Sequence, residues 1–172
     1  DTLNHLTIPS PLHQVRTAWS DAEAIELYMK RDDLIHPIIS GNKWRKLSGI
    51  LSHYDRTTYG EIITFGGAFS NHLVATAASC AILKVPCTGI IRGEEPKQLN
   101  GVLKLCKMYG MRLSFVTREE YKVHNRQLGV HEEKLFIPEG GACEQGTKGC
   151  FEILNEIDLK GISKVFVACG TG

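Results

Sequence analysis

From residue 61 onward, short apolar runs alternate with longer segments of helical periodicity, and few folds are compatible with this alternation. The apolar runs are predicted strands at 61–65, 85–92, 112–117, 134–138 and 164–169. The segments between them are predicted helices at 71–83, 99–109, 119–128 and 145–157. Strands that alternate with helices of about 10–15 residues form parallel βαβ units. The pattern therefore predicts an α/β fold with a doubly wound parallel sheet.

The segment before residue 61 is less regular. Two prolines make 8–12 extended, and 25–31 is a short candidate strand. A helix is predicted over 43–53, because apolar residues that include Leu47 and Ile50 recur there at helical spacing.

Composition excludes several classes of protein. With 42% hydrophobic and 23% charged residues, the chain has a globular profile rather than a disordered, collagen-like or coiled-coil one. Its 20 basic and 19 acidic residues give a formal charge of +1, which offers no electrostatic case for nucleic acid or an acidic membrane. No apolar run approaches the ~20 residues of a membrane span, and the start of the chain lacks the pattern of a signal peptide. We expect a cytoplasmic protein that binds neither nucleic acid nor membrane.

The six cysteines do not form a metal-site pattern. The sequence has no CxxC pair and no histidine at a zinc-like spacing from two of them. Most lie in apolar surroundings, as small core residues do. We therefore expect buried thiols and no metal site, with a metal or disulfide role as the alternative.

Glycine loops follow three of the predicted strands, at 66–72, 139–141 and 169–172. In open α/β sheets, ligands bind beyond the carboxyl ends of the strands. In the first loop, Ser70 and Asn71 open a helix whose free N–H groups favour an anion such as a carboxylate. Plain N-capping by these two residues is the alternative. His72, taken alone, is more typical of a packed or solvated histidine than of a catalyst.

Three cations, Lys43, Arg45 and Lys46, lie in the predicted first turn of the helix that follows the turn at 40–42. The helix dipole is positive there, so the placement is unfavourable. Either the charges are solvated, or one of the lysines functions in its neutral form, which attacks carbonyls to form a Schiff base.

The C-terminal run 165–172 joins an apolar strand to the sequence Gly-Thr-Gly. Successive N–H groups in such a loop bind phosphate, and the Thr171 hydroxyl adds a donor. The loop is neither a Walker A motif nor a complete dinucleotide fingerprint. A Schiff-base lysine, a carboxylate loop and a phosphate loop together indicate pyridoxal 5'-phosphate as the cofactor.

These motifs occur in order along nearly the whole chain, as IPSPL at 8–12, SGNKWRKL at 40–47, GGAFSNH at 66–72, IPEGG at 137–141 and CGTG at 169–172. Through them the sequence resembles the D-cysteine desulfhydrase and 1-aminocyclopropane-1-carboxylate (ACC) deaminase family. This family belongs to the tryptophan-synthase-β-like pyridoxal phosphate enzymes. Each motif alone is weak, and their order makes the resemblance specific.

The resemblance implies a role for several residues. Lys43 would bind the cofactor covalently and would move the substrate Cα proton. Ser70 would contact the substrate carboxylate, as a candidate nucleophile or proton relay, and Asn71 would contact the cofactor ring oxygen or the same carboxylate. His72 would belong to the substrate site, as in desulfhydrase-like members, whereas typical bacterial ACC deaminases have glutamine there. The phosphate would be held by Gly170, Thr171 and Gly172.

Family members are considerably longer than this chain, so the resemblance implies an N-terminal fragment with a complete small lobe and a truncated large cofactor domain. Residues 1–56 would form the first part of the large domain, 57–149 the small α/β domain, and 150–172 the start of the returning large domain. We expect the fragment alone to bind the cofactor weakly and to show no appreciable turnover.

The whole protein would be a lyase or deaminase of a small amino acid, and it would act as a homodimer. A cysteine substrate would yield a keto acid, ammonia and hydrogen sulfide. Two other classes stay open: a domain that binds a nucleotide or phosphate metabolite without covalent chemistry, and an inactive remnant.

Overall fold

The computed structural model describes residues 6–168 of the 172-residue chain. The strands in this range are β1 (Leu12–Val15), β2 (Leu27–Lys30), β3 (Glu61–Gly66), β4 (Cys87–Arg92), β5 (Arg112–Val116), β6 (Gly129–His131) and β7 (Lys134–Ile137). The α-helices are α1 (Ala18–Ala22), α2 (Gly41–His53), α3 (Asn71–Leu83), α4 (Gly101–Met108), α5 (Arg118–His124) and α6 (Glu144–Asn155).

The main sheet has five strands in the order β5-β4-β3-β7-β6. The pairs β5–β4, β4–β3 and β3–β7 are parallel, as the alternating pattern predicted. The edge strand β6 is antiparallel to β7 and was not predicted. Its two-residue turn, Glu132–Glu133, has positive φ angles of 49° and 58°. Such turns usually contain Asn or Gly, so two glutamates gave no local signal of a hairpin.

Helices cover both faces of the main sheet. The larger core cluster joins α2, α3 and α4 to residues such as Ile62 and Leu135 on one face. On the other face, Tyr121 of α5 packs against Ile63 and Phe65 of β3. Strand β3 is therefore buried from both sides, which explains its continuous apolar run. The prediction of a doubly wound α/β fold is confirmed. In the range described, no helix combines the length and apolar character that crossing a membrane requires.

The structure differs from the sequence predictions near both ends of the described range. Leu12–Val15 and Leu27–Lys30 pair as a separate two-stranded antiparallel sheet, and only the second of these strands was expected. The strand predicted at 164–169 is wrong for its described part: 164–168 has no regular structure, and the side chains of Val165, Phe166 and Val167 are largely exposed. Strand formation needs a paired neighbour, and apolar composition alone does not supply one. Residues 169–172 lie outside the described range.

Glycines allow α2 and α6 to pack backbone against backbone. A Cβ atom built on Gly149 would lie 2.1 Å from the carbonyl oxygen of Arg45 and 2.9 Å from the Cα atom of Gly49. A Cβ atom built on Gly49 would lie 2.3 Å from the carbonyl oxygen of Gln145. Because the atoms in contact are backbone atoms, a side chain at either glycine would force the two helices apart.

A buried ion-pair network also joins α2 to α6. The guanidinium of Arg45, only 3% exposed, donates from Nε and Nη2 to the Asp32 carboxylate at 3.0 and 2.8 Å. It also donates to both oxygens of the Glu156 carboxylate. Lys30 Nζ donates to Glu156 Oε2 at 2.6 Å, and Ser10 Oγ donates to Asp32 Oδ1 at 2.6 Å. The two carboxylates therefore compensate one of the cations that begin α2.

Acidification should weaken this network and lower the free energy of unfolding. Hydrogen bonds from Arg45 lower the pKa of Glu156 to about 2, against an ordinary 4.5. Because the folded-state pKa is the lower one, this stabilisation is fully present above about pH 4.5 and is lost as the pH falls towards 2. Urea unfolding across this window should therefore show a smaller pH dependence for Glu156→Gln than for the wild type. Equal slopes would contradict the expectation.

Candidate active site

A cleft of about 850 Å³ opens at the carboxyl ends of β3, β4 and β7. It is lined by the start of α2, the loop from β3 into α3, the end of β4 and the loop after β7. The lining residues are Asn42, Lys43, Lys46, Gly67, Ala68, Phe69, Ser70, Asn71, His72, Arg92, Glu139, Gly140 and Ala142. This is the edge of the sheet at which the sequence predicted a ligand site.

Lys43 lies in the first turn of α2, and its side chain is half-buried. Its Nζ atom donates a hydrogen bond to Asn42 Oδ1 at 2.8 Å. The structure thus brings Lys43 into the same cleft as Ser70, Asn71 and His72, although Ser70 lies 27 positions after Lys43 in the sequence. The roles suggested for these four residues stay predictions. The suggested phosphate loop, Gly170 to Gly172, lies outside the described residues.

The loop before α3 holds Ser70 at the cleft without using its hydroxyl as a helix cap. Ser70 occupies the N-cap position with extended backbone angles, but its side chain makes no capping hydrogen bond to any described residue. The structure therefore does not support capping as the role of this hydroxyl. Gly66, four residues earlier, permits the close approach of Ser70, because an added Cβ atom there would lie 2.8 Å from the Ser70 Cβ atom. Asn100 anchors the same loop by donating from Nδ2 to the Ala68 carbonyl at 2.9 Å.

His72 is packed inside the protein and is neutral at physiological pH. Its Nε2 atom lies 2.9 Å from the hydroxyl oxygen of Thr64 in β3. Burial, with the nearby charges of Lys43 and Lys46, lowers the pKa of His72 from 6.5 to about 4. Of the two uses considered for a lone histidine, packing and solvation, the structure shows the first.

Arg92 is a cleft residue that the sequence analysis missed. Its guanidinium carbon lies 5.4 Å from the ring centroid of Tyr121, in a cation–π arrangement. Arg92 ends β4, so only its position at a strand end could have indicated it. Together with Lys43 and Lys46 it makes the lining more positive than the single carboxylate of Glu139 can balance, which favours an anionic ligand.

A second cavity of about 480 Å³ adjoins the cleft and shares Asn42, Lys43 and Asn71 with it. Its other lining residues include apolar side chains such as Ile38 and Val102. Lys43 therefore lies between a polar cleft and a more apolar cavity.

The five described cysteines are free thiols, and Cys80, Cys87 and Cys106 are buried, as predicted. Cys143 and Cys150 are half-buried. Within the described range, no three His, Cys, Asp or Glu side chains group as metal ligands.

Comparison with known proteins identifies the family. The family model described as pyridoxal-phosphate dependent enzyme matches residues 4–172. The chain belongs to this family. Among its relatives, the bifunctional D-cysteine desulfhydrase/1-aminocyclopropane-1-carboxylate deaminase of Arabidopsis thaliana is 31% identical over 99% of this chain and 48% of that protein. The D-cysteine desulfhydrase of Salmonella typhimurium is 28% identical over 98% of this chain and 56% of that protein.

A solved structure supports the same assignment. The crystal structure of an ACC deaminase homologue matches with a TM-score of 0.67 and 26% identity, covering 95% of this chain and 51% of the other. The resemblance inferred from the motifs is thereby confirmed. The chain spans about half the length of the curated relatives it matches.

The described residues fit the family's cofactor. The cleft presents a primary amine at Lys43 for the aldehyde and positive charge for the phosphate. Its volume of about 850 Å³ lies within the usual range for cofactor pockets. The start of α3 adds free N–H groups, which suit a substrate carboxylate.

Proposed function

We propose that the whole protein is a pyridoxal phosphate-dependent lyase or deaminase of a small amino acid, of the D-cysteine desulfhydrase or ACC deaminase type. The observation that carries the proposal is the shared cleft of Lys43 and the Ser70–Asn71 turn. The names of the Arabidopsis and Salmonella relatives support the substrate class.

When bound, pyridoxal phosphate supplies an electron sink that stabilises negative charge on the substrate Cα atom. Lys43 Nζ would hold the cofactor aldehyde carbon and, once free, would take the Cα proton. It would have to leave its hydrogen bond with Asn42 Oδ1 to do either. The uncommitted Ser70 hydroxyl and the N–H groups at the start of α3 would orient the substrate carboxylate. Asn71 would add a polar contact to the cofactor ring or to that carboxylate.

The proposal also includes the expected domain boundaries, oligomeric state and cellular location. They comprise a small α/β domain at 57–149, a homodimer, and a cytoplasmic location. We also expect the 172 residues alone to turn over substrate poorly, because the apolar side chains of Val165, Phe166 and Val167 are exposed rather than packed. Exposed apolar segments favour association over a well-formed site.

Borohydride reduction tests the proposal without relying on turnover. We expect the chain, incubated with excess pyridoxal phosphate and reduced, to carry the cofactor on Lys43, because this amine lies in the cleft. Peptide mass spectrometry should find label on Lys43 and much less on Lys46, three residues away in the same cleft. Lys43→Met should abolish the label at this peptide.

Lys148→Met is the matched control, because Lys148 is an exposed lysine of α6 that pairs with Glu144 away from the cleft. It should leave the label on Lys43 unchanged. Label spread over surface lysines, or equal in wild type and Lys43→Met, would reject the enzyme proposal. That result would favour a domain that binds its ligand without covalent chemistry.

A further inference from the structure

Arg92 is a cation of the cleft that no carboxylate in the described range neutralises. It is the last residue of β4, and its backbone is held by parallel pairing with Val116 of β5. Its side chain is exposed and lines the cleft. None of the ion pairs among residues 6–168 includes it. The guanidinium is therefore available to an anion that enters the cleft.

The ring of Tyr121 holds this guanidinium in place. Tyr121 is only 1% exposed and packs with Ile63 and Phe65 of β3. The guanidinium carbon of Arg92 lies 5.4 Å from the centroid of the tyrosine ring. This cation–π contact positions the charge but gives its N–H donors no oxygen acceptor. They remain available to a carboxylate, which the planar guanidinium matches with two parallel hydrogen bonds.

The same guanidinium borders the loop that carries Ser70. A Cβ atom built on Gly67 would lie 3.5 Å from Arg92 Nη2, so the end of the arginine side chain lies against the backbone of Gly67. The Ser70 N–H donates to the Gly67 carbonyl at 3.0 Å, which closes residues 67–70 into a tight turn. Arg92 and Ser70 therefore flank one turn, and both line the cleft.

This turn brings together groups that suit an anion. The Ser70 hydroxyl makes no capping hydrogen bond to any described residue, and the first N–H groups of α3 lie directly after it. Arg92 adds a full positive charge beside them. Glu139 is the acidic residue of the lining, and it forms no ion pair with Arg92 in the part of the chain that the structure describes.

Two anions of the proposed reaction have oxygen acceptors for Arg92, the substrate carboxylate and the cofactor phosphate. The position of Arg92 favours the carboxylate. It borders the Ser70 turn, which is the part of the cleft that the proposed function gives to the substrate carboxylate. The phosphate is the alternative that the experiments below distinguish.

We propose that Arg92 binds the α-carboxylate of the substrate together with the Ser70 turn. The site would then select free amino acids over amines, amides and peptides, because a neutral group in place of the carboxylate leaves the guanidinium without its partner. This inference rests on the proposed function and deepens it, since it adds a specificity-determining residue to the same site.

NMR of the arginine Nε–Hε groups measures the contact directly, with the Arg92 signal assigned by its absence from Arg92→Gln. In the chain with excess pyridoxal phosphate, alanine is added as each enantiomer in turn. At least one enantiomer should shift the Arg92 signal, because a carboxylate accepts from this group. Alaninamide, which has the amine but no carboxylate, should leave the signal in place. No shift with alanine, or the same shift with alaninamide, would overturn the inference.

Affinities of variants provide an independent measurement. By absorbance titration with excess cofactor, Arg92→Gln should bind alanine about tenfold more weakly than the wild type, the lower end of the effect of a hydrogen bond to a charged group. Its affinity for alaninamide should be unchanged. Arg92→Lys should lose less, because it keeps the charge without the planar donor pair. An equal loss for alanine and alaninamide would indicate a structural role and would overturn the inference.

The matched control is Arg112→Gln. Arg112 is an exposed arginine of the neighbouring strand β5, where it pairs with Glu61 and does not line the cleft. This variant should bind alanine and alaninamide as the wild type does. A tenfold weaker binding of alanine by Arg112→Gln would show that any lost surface cation has this effect, and it would overturn the assignment to Arg92.

Borohydride trapping separates the carboxylate from the phosphate, and this inference from the proposed function. Arg92→Gln should need the same concentration of pyridoxal phosphate as the wild type for half-maximal label on Lys43. A requirement raised about tenfold would assign Arg92 to the phosphate and would overturn the inference alone. Absence of label on Lys43 in the wild type overturns the proposed function, and this inference falls with it.

Discussion

Replacing Arg45 by methionine is expected to lower the free energy of unfolding by about 3–5 kcal/mol, the usual effect of removing one partner from a buried ion pair. Methionine keeps much of the apolar stem of arginine but none of its five donors. The Asp32 and Glu156 carboxylates, only 14% and 12% exposed, would then lose their main partner. Urea unfolding at neutral pH measures the change.

The matched control for this prediction is Arg112→Met. Arg112 also pairs with a carboxylate, that of Glu61, but its side chain is 72% exposed. Removal of an exposed pair costs about 0–1 kcal/mol. The difference in free energy of unfolding between the wild type and Arg45→Met should also become smaller in acid, because protonated carboxylates no longer need a cation. An equal decrease in the free energy of unfolding for the two variants would contradict the account of a buried network. A decrease for Arg45→Met that does not depend on pH would also contradict it.

The substitution Gly149→Ala adds a single methyl group and should lower the free energy of unfolding by about 3 kcal/mol, at the upper end of the range for overpacking. Glycine to alanine inside a helix is ordinarily stabilising by about 1 kcal/mol. Here the new Cβ atom would lie 2.1 Å from the Arg45 carbonyl oxygen, and neither backbone can move aside alone. Separation of α2 from α6 would also displace Lys43, so less cofactor should be trapped on that lysine.

Gly101→Ala is the control for helix propensity without the clash. A Cβ atom on Gly101, the first residue of α4, would have no described atom within 4 Å. We expect its stability to be unchanged or raised by less than about 1 kcal/mol. Thermal unfolding of Gly149→Ala and Gly101→Ala, measured under the same conditions, compares the stability of the two variants directly. A Gly149→Ala protein as stable as the wild type would show that α2 and α6 tolerate separation.

Much of the candidate site was predictable from the sequence, because its residues lie at strand ends. Buried parallel strands require continuous apolar runs, and the glycine loops that follow such runs must meet at one edge of the sheet. This reasoning brought the loop at 66–72 and Glu139–Gly141 to a common edge. The charge pattern at the start of the predicted helix indicated a lysine from outside the sheet, the family motif selected Lys43, and the structure places it in the same cleft.

The energetics of the helix that carries Lys43 were not predictable. Arg45 is one of three cations among the four residues 43–46, and nothing local distinguishes it from the two lysines. Its partners are Asp32, 13 residues away, and Glu156, 111 residues away. The protonation state of His72 likewise depends on Thr64 and on burial, and neither leaves a local pattern.

The sequence by itself determined the βαβ order, the parallel sheet and the family, because these depend on periodicity and on ordered motifs. The tertiary structure alone decided that β6 turns antiparallel, that 164–168 stays unpaired, and which cation of α2 is neutralised. The physical reason is that strand pairing and charge compensation depend on which groups meet in space. Periodicity along the chain records which faces are apolar, but it does not record those partners.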